Sequence, residues 1–158
     1  MLGPYALDFT IDVGASPADV RQWTVRSVVG DGEAIGRPGT LTVLEQGPDR
    51  FASRYEEGTV SQLRVVEWSG ERTAHGAVHH AVRGSPRLSA RYLLEVAPAG
   101  AGSHLQVAYR LETPVLGLAL SFRMARRRSL ARRLSASWLR LEDERRWAAL
   151  KLRTGPHR

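Results

Sequence analysis

The chain has 158 residues, 42% of them hydrophobic, a formal net charge of +7 and no cysteine. Such a composition suits one domain with a core of its own and excludes wholesale disorder. The missing cysteine excludes disulfides, thiolate metal sites and a cysteine nucleophile, and leaves the redox compartment open.

The opening residues MLGPYALDFT lack a basic region and carry Asp8 inside the apolar run, so they do not read as a signal peptide. No stretch approaches the roughly 20 apolar residues of a membrane span, and a cytoplasmic protein is the default expectation. Leu7, Phe9, Ile11 and Val13 alternate with polar or small residues and predict a first strand. Ser16 then suits a helix N-cap, Pro17 the first helical position and Asp19 the positive end of the dipole. The helix is predicted over Pro17 to Val28, with Val20, Trp23 and Ser27 inward. Gly30, Gly32, Gly36, Pro38 and Gly39 mark a loop.

A β region follows. Leu41 to Gln46 and Phe51 to Glu56 flank Gly47-Pro48-Asp49, a hairpin signal. Val60 to Trp68, Thr73 to Arg83, Leu88 to Val96 and His104 to Glu112 complete seven strands, separated by turn chemistry. Short connections make consecutive strands antiparallel. After Pro114, one apolar, arginine-studded helix is predicted from about Leu116 to Leu152. Residues 1–158 thus read as a single α+β domain, with its core from about 6 to 152 and 153–158 as a disordered tail.

Two short pieces, Ala15-Ser16-Pro17-Ala18-Asp19-Val20 and Gly102-Ser103-His104-Leu105-Gln106-Val107, stand in an element order that resembles the helix-grip superfamily. That SRPBCC group contains START lipid-transfer domains, Bet v 1-like pollen-allergen proteins and bacterial polyketide cyclase/dehydratases. The resemblance spans about Leu7 to Leu150 and implies a seven-stranded curved antiparallel sheet wrapped around a long C-terminal helix. It implies an internal cavity for a hydrophobic small molecule. The segment Gly30 to Gly39 is shorter than relatives usually carry, which bears on one mouth of that pocket.

Strand parity then sorts the side chains. Leu105, Val107, Tyr109 and Leu111 share the face that would meet the helix, as do Ala90, Tyr92, Leu94 and Val96. Tyr55 groups with Phe51 and Ser53. In the Val60 strand, Trp68 needs burial more than Glu67, which puts Arg64 and Gln62 inside. His80 is placed inward, although a one-residue slip would exchange it for His79. Leu120, Met124, Ala131, Leu134, Trp138 and Leu141 follow helical spacing as a lid stripe.

If catalytic, the pocket would use Arg64 to polarise a carbonyl, Tyr109 or a neighbouring tyrosine to donate a proton, and His80 as base. Trp23, Tyr55, Trp68, Tyr92, Met124, Leu134 and Trp138 would line the ligand. The plain alternatives are core tyrosines, core tryptophans and an Arg64 paired with a carboxylate such as Glu45. His79 and His80 point opposite ways, so no metal is expected, and no cofactor motif is present. Arg123, Arg126, Arg127, Arg128, Arg132 and Arg133 lie within eleven residues. They suit a solvated helix back or an acidic partner such as an acyl carrier protein better than nucleic acid, whose stacking aromatics would have to be exposed. Three functions fit: a cofactor-independent polyketide cyclase, aromatase or dehydratase; a lipid, polyketide or isoprenoid carrier or sensor; and an interaction module built on the basic helix. Each is compatible with a monomer or a homodimer.

Overall fold

The computed structural model describes residues 1–29 and 39–124. In chain order these form β1 (Leu2–Val13), α1 (Pro17–Val29), β2 (Thr40–Gln46), β3 (Arg50–Glu57), β4 (Val60–Ser69), β5 (Thr73–Val82), β6 (Ser85–Ala99), β7 (Gly102–Thr113) and α2 (Leu116–Met124). The strands make one curved antiparallel sheet of order β1-β7-β6-β5-β4-β3-β2. A meander from β2 to β7 is thus closed on its far edge by β1.

Local chemistry sets the ends of α1. The Asp19 amide donates to Ser16 Oγ at 3.2 Å, Ser16 Oγ donates to Asp19 Oδ2 at 2.9 Å, and the Val20 amide reaches the Ser16 carbonyl at 3.0 Å. The first turn is therefore capped from within. Just upstream, Ser103 Oγ donates to the buried Ala15 carbonyl at 2.6 Å. A Cβ at Gly102 would collide with the Val13 carbonyl oxygen. The two short pieces that carry the family resemblance are therefore in direct contact, and the contact fixes where α1 leaves the sheet.

α1 buries Val20, Trp23, Thr24 and Val28 against the inner face of the sheet. Opposite them Val66, Leu94, Leu105 and Val107 are at most 2% exposed, each side chain contributing about 1.5–3 kcal/mol. Near the start of α1, the partly buried Arg21 ties two hairpin turns together. It donates to Asp49 Oδ1 at 2.9 Å, to the Pro48 carbonyl at 3.3 Å and to the Gly70 carbonyl at 3.4 Å, and its guanidinium lies 5.5 Å from the centre of the Trp68 ring.

Two elements differ from expectation. β1 begins at Leu2, not near Leu7, and passes a cis Gly3–Pro4 bond. Pro4 is tolerated because β1 is an edge strand, where a missing N–H breaks no ladder. On α2 the side chains that face the sheet are Ala119, 3% exposed, and Phe122, whose ring lies 5.7 Å from that of Tyr5. Leu120 and Met124, expected on the lid stripe, are 47% and 82% exposed. Helical spacing groups residues on a face, but the neighbours decide which face is buried, and here β1 and β7 meet the Ala119 side. Ala131, Leu134, Trp138 and Leu141 lie outside the described residues.

Candidate functional site

The strand register lines up inner-face side chains in rows across the sheet. One row runs Tyr55, Gln62, His80 and Leu88 over β3 to β6. The next runs Ser53, Arg64, Val78, Ala90 and Leu111. A third runs Phe51, Val66, Gly76, Tyr92, Tyr109 and Leu7. Most of the polar members of these rows lie on β3, β4 and β5, near the C-terminal end of α1, and Tyr92 on β6 and Tyr109 on β7 are the others.

Arg64 organises this group. Nη1 donates to the Ser27 carbonyl at 3.0 Å and Nη2 to Gln62 Oε1 at 2.8 Å. Ser53 Oγ donates to the adjacent Val28 carbonyl at 2.5 Å. The last turn of α1 has carbonyls without helical partners and a negative dipole end, so a cation and a hydroxyl from the sheet complement it. The carboxylate suggested by sequence as the Arg64 partner, Glu45, instead lies 3.5 Å from Arg50 Nε across the β2–β3 hairpin.

The tyrosines differ in setting. Tyr55 is 3% exposed and donates to Glu57 Oε2 at 3.0 Å. Tyr109 stacks on Phe9 at 6.0 Å and meets Tyr92 in a tilted pair at 5.6 Å. Tyr92 occupies the space above Gly76, where a Cβ would collide with its ring and hydroxyl. Burial pushes the Tyr92 hydroxyl well above the usual tyrosine range; Tyr109 adds to the rise and the Arg64 charge offsets part of it. Tyr92 therefore stays protonated and can serve only as a neutral hydrogen-bond group near neutral pH.

The structure brings Arg64, Gln62, His80 and Tyr55 together in adjoining rows, with Tyr92 and Tyr109 one row beyond. His80 is half-buried on the inner face, while His79 lies on the outer face with Nδ1 at 3.1 Å from Ser89 Oγ. Trp23 on α1 and Trp68 near the end of β4 are buried and are not part of the polar group; Trp68 Nε1 has no hydrogen-bond partner among the described residues. Met124 faces outward on α2, and Leu134 and Trp138 lie outside the described residues. Among the described residues no three His, Asp or Glu side chains converge to hold a metal ion. Sequence reasoning placed Ser53 on the face of Tyr55 without a role, and missed the role of Gly76. A lone glycine inside a strand is a signal of close approach, and Gly76 carried it.

A separate open depression of about 380 Å³ lies on the opposite face of the sheet, between β1, β7 and β6. Asp8, Thr10, Leu93, Glu95, Gln106 and Ala108 line it, and Asp8 is held by Arg110 at 3.0 Å. Phe9 and Val107 border it as well, but no member of the polar group on the inner face does.

An antiparallel seven-stranded sheet gripping a helix defines the helix-grip class. Solved structures share this architecture. Ara h 8.0201 is 15% identical, with a TM-score of 0.56 over 71% of this chain and 80% of that one. Mll3558 from Rhizobium loti is 15% identical, with a TM-score of 0.54 over 90% and 99%. KanY is 19% identical, with a TM-score of 0.50 over 90% and 95%. No family model and no curated protein matches the sequence. The chain therefore has a helix-grip fold, shared with these structures at the level of architecture.

Proposed function

We propose that the protein binds a hydrophobic small molecule on the inner face of the sheet and acts on it as a cofactor-independent cyclase, aromatase or dehydratase of a poly-carbonyl chain. The observation that carries this reading is the gathering of Arg64, Gln62, His80 and Tyr92 on the inner face, beside the apolar side chains of Val66, Val78, Ala90 and Leu111. Apolar rows would fold the chain and hold its reacting carbons together, which lowers a barrier by reducing lost motion. His80 would take a proton from the carbon between two carbonyls. Arg64 would stabilise the resulting enolate oxygen, and the neutral Tyr92 or Tyr109 hydroxyl would donate to the carbonyl under attack. An acidic carrier such as an acyl carrier protein would present the substrate to a protein of net charge +7.

A second reading, a non-catalytic carrier for a lipid, polyketide or isoprenoid, is favoured by one specific feature. Arg64 already supports the end of α1 and orients Gln62. Substituting it would perturb the fold as well as any chemistry, so His80 is the cleaner test. With a poly-carbonyl thioester as substrate, His80→Ala is expected to abolish turnover while binding of an apolar ligand persists. Binding with no turnover in the native protein identifies a carrier. Turnover unchanged in His80→Ala removes the catalytic assignment.

A further inference from the structure

Among the described residues, eight large apolar side chains are at least 38% exposed, and six of them belong to two neighbouring segments. Met1 and Leu2 open β1; Leu116, Leu118, Leu120 and Met124 lie on α2. Leu2 stands opposite Thr113 in the β1–β7 ladder, and Leu116 follows three residues later. The two segments therefore form one apolar corner. α2 already spends Ala119 and Phe122 on the sheet. Its outward stripe is Leu116, Leu120 and Met124, spaced by one helical turn each and 65%, 47% and 82% exposed. Singly scattered apolar residues need no explanation, but a contiguous patch marks a contact surface.

Charge indicates what the surface meets. From Thr113 to Leu141 the sequence contains no Asp or Glu and seven arginines. Arg87, whose carbonyl accepts from Thr113 Oγ1 at 2.6 Å, and Arg123 at the end of α2 are both exposed at this corner. A stripe of leucine and methionine with Arg87 and Arg123 exposed beside it complements an anionic bilayer, whose head groups attract arginine and whose acyl boundary takes the apolar side chains. No helix among the described residues is long and apolar enough to cross a membrane, so such a contact would lie along the surface.

We propose that α2 and the start of β1 dock on the surface of an anionic phospholipid bilayer, with Leu116, Leu120 and Met124 at the acyl boundary. The test is co-sedimentation of the full chain with vesicles of phosphatidylcholine alone and of phosphatidylcholine with an equal amount of phosphatidylglycerol. The native protein is expected to sediment with the anionic vesicles only. Leu116→Ser/Leu120→Ser, both at exposed positions, is expected to weaken that binding by at least about tenfold while circular dichroism and thermal unfolding stay unchanged. Met124→Ser alone provides a milder variant should the double one misfold. Absence of sedimentation would overturn the proposal. Binding that survives the leucine substitutions but vanishes in high salt would also overturn it, since a purely ionic contact of the kind made with an acidic protein would then explain the arginines.

Discussion

Tyr92 on β6 fills the space that a side chain at Gly76 on β5 would occupy. The two residues are direct cross-strand partners, and the absence of a Cβ at Gly76 lets the Tyr92 ring lie over the neighbouring strand, on the side where Val66 and Arg64 follow on β4. The protonated hydroxyl proposed for the site owes its position to that glycine.

Replacing Gly76 should reverse the usual sign of such a change. Glycine inside a strand normally costs about 0.5–1 kcal/mol relative to alanine. Here the new methyl group would displace the Tyr92 ring, so Gly76→Ala is expected to destabilise by about 1–3 kcal/mol, as overpacking does. Urea unfolding of Gly76→Ala and of Gly76→Ala/Tyr92→Leu, in which the smaller side chain relieves the collision, measures the effect. Equal loss in both would show that the ring is not the cause.

The buried Tyr92 hydroxyl makes stability fall in alkali. Its folded value lies above the unfolded one, mainly through burial, with Tyr109 adding and Arg64 subtracting. As pH rises past about 10, the ordinary tyrosine value, the unfolded chain releases this proton while the folded protein retains it. Unfolding is then favoured, and the loss grows with pH until the folded group ionises too. Tyr92→Phe is expected to show a shallower alkaline decline than the native protein in thermal melts taken above about pH 10. Parallel curves would remove Tyr92 as the source.

Ser103→Ala should cost more than its single hydroxyl suggests. It would leave the buried Ala15 carbonyl without the Ser103 donor at the start of α1, a loss of about 1–3 kcal/mol. Hydrogen exchange should rise first in the opening turn of α1. A variant as stable as the native protein would show that water replaces the hydroxyl without cost.

Much of this architecture was legible in local sequence because its causes are local. The Ser16–Asp19 cap is a three-residue signal, the Gly47-Pro48-Asp49 turn declares its hairpin, and alternation sorts Leu105 and Tyr109 from Gln106 and Arg110. What could not be read depends on partners distant in the chain. Arg64 ends on a backbone carbonyl, that of Ser27, which leaves no trace in residue identity, while the more obvious acid, Glu45, is taken by Arg50. The seating of Tyr92 over Gly76 requires the β5–β6 register, which no single strand reveals. The spacing on α2 is helical for both candidate stripes, and only the position of β1 and β7 selects Ala119 and Phe122 over Leu120 and Met124.

The central claim, a small molecule held on the inner face beside Arg64 and His80, is tested most directly by native mass spectrometry with a blocking variant. Val78 lies on that face between Arg64 and Ala90 and is only half-buried. The native protein, purified fresh from its host or incubated with a panel of lipids and poly-carbonyl compounds, is predicted to carry a discrete added mass. Val78→Trp is predicted to fold and to lose that mass. A clean unliganded mass for the native protein throughout the panel, or an added mass that Val78→Trp retains, would contradict the account.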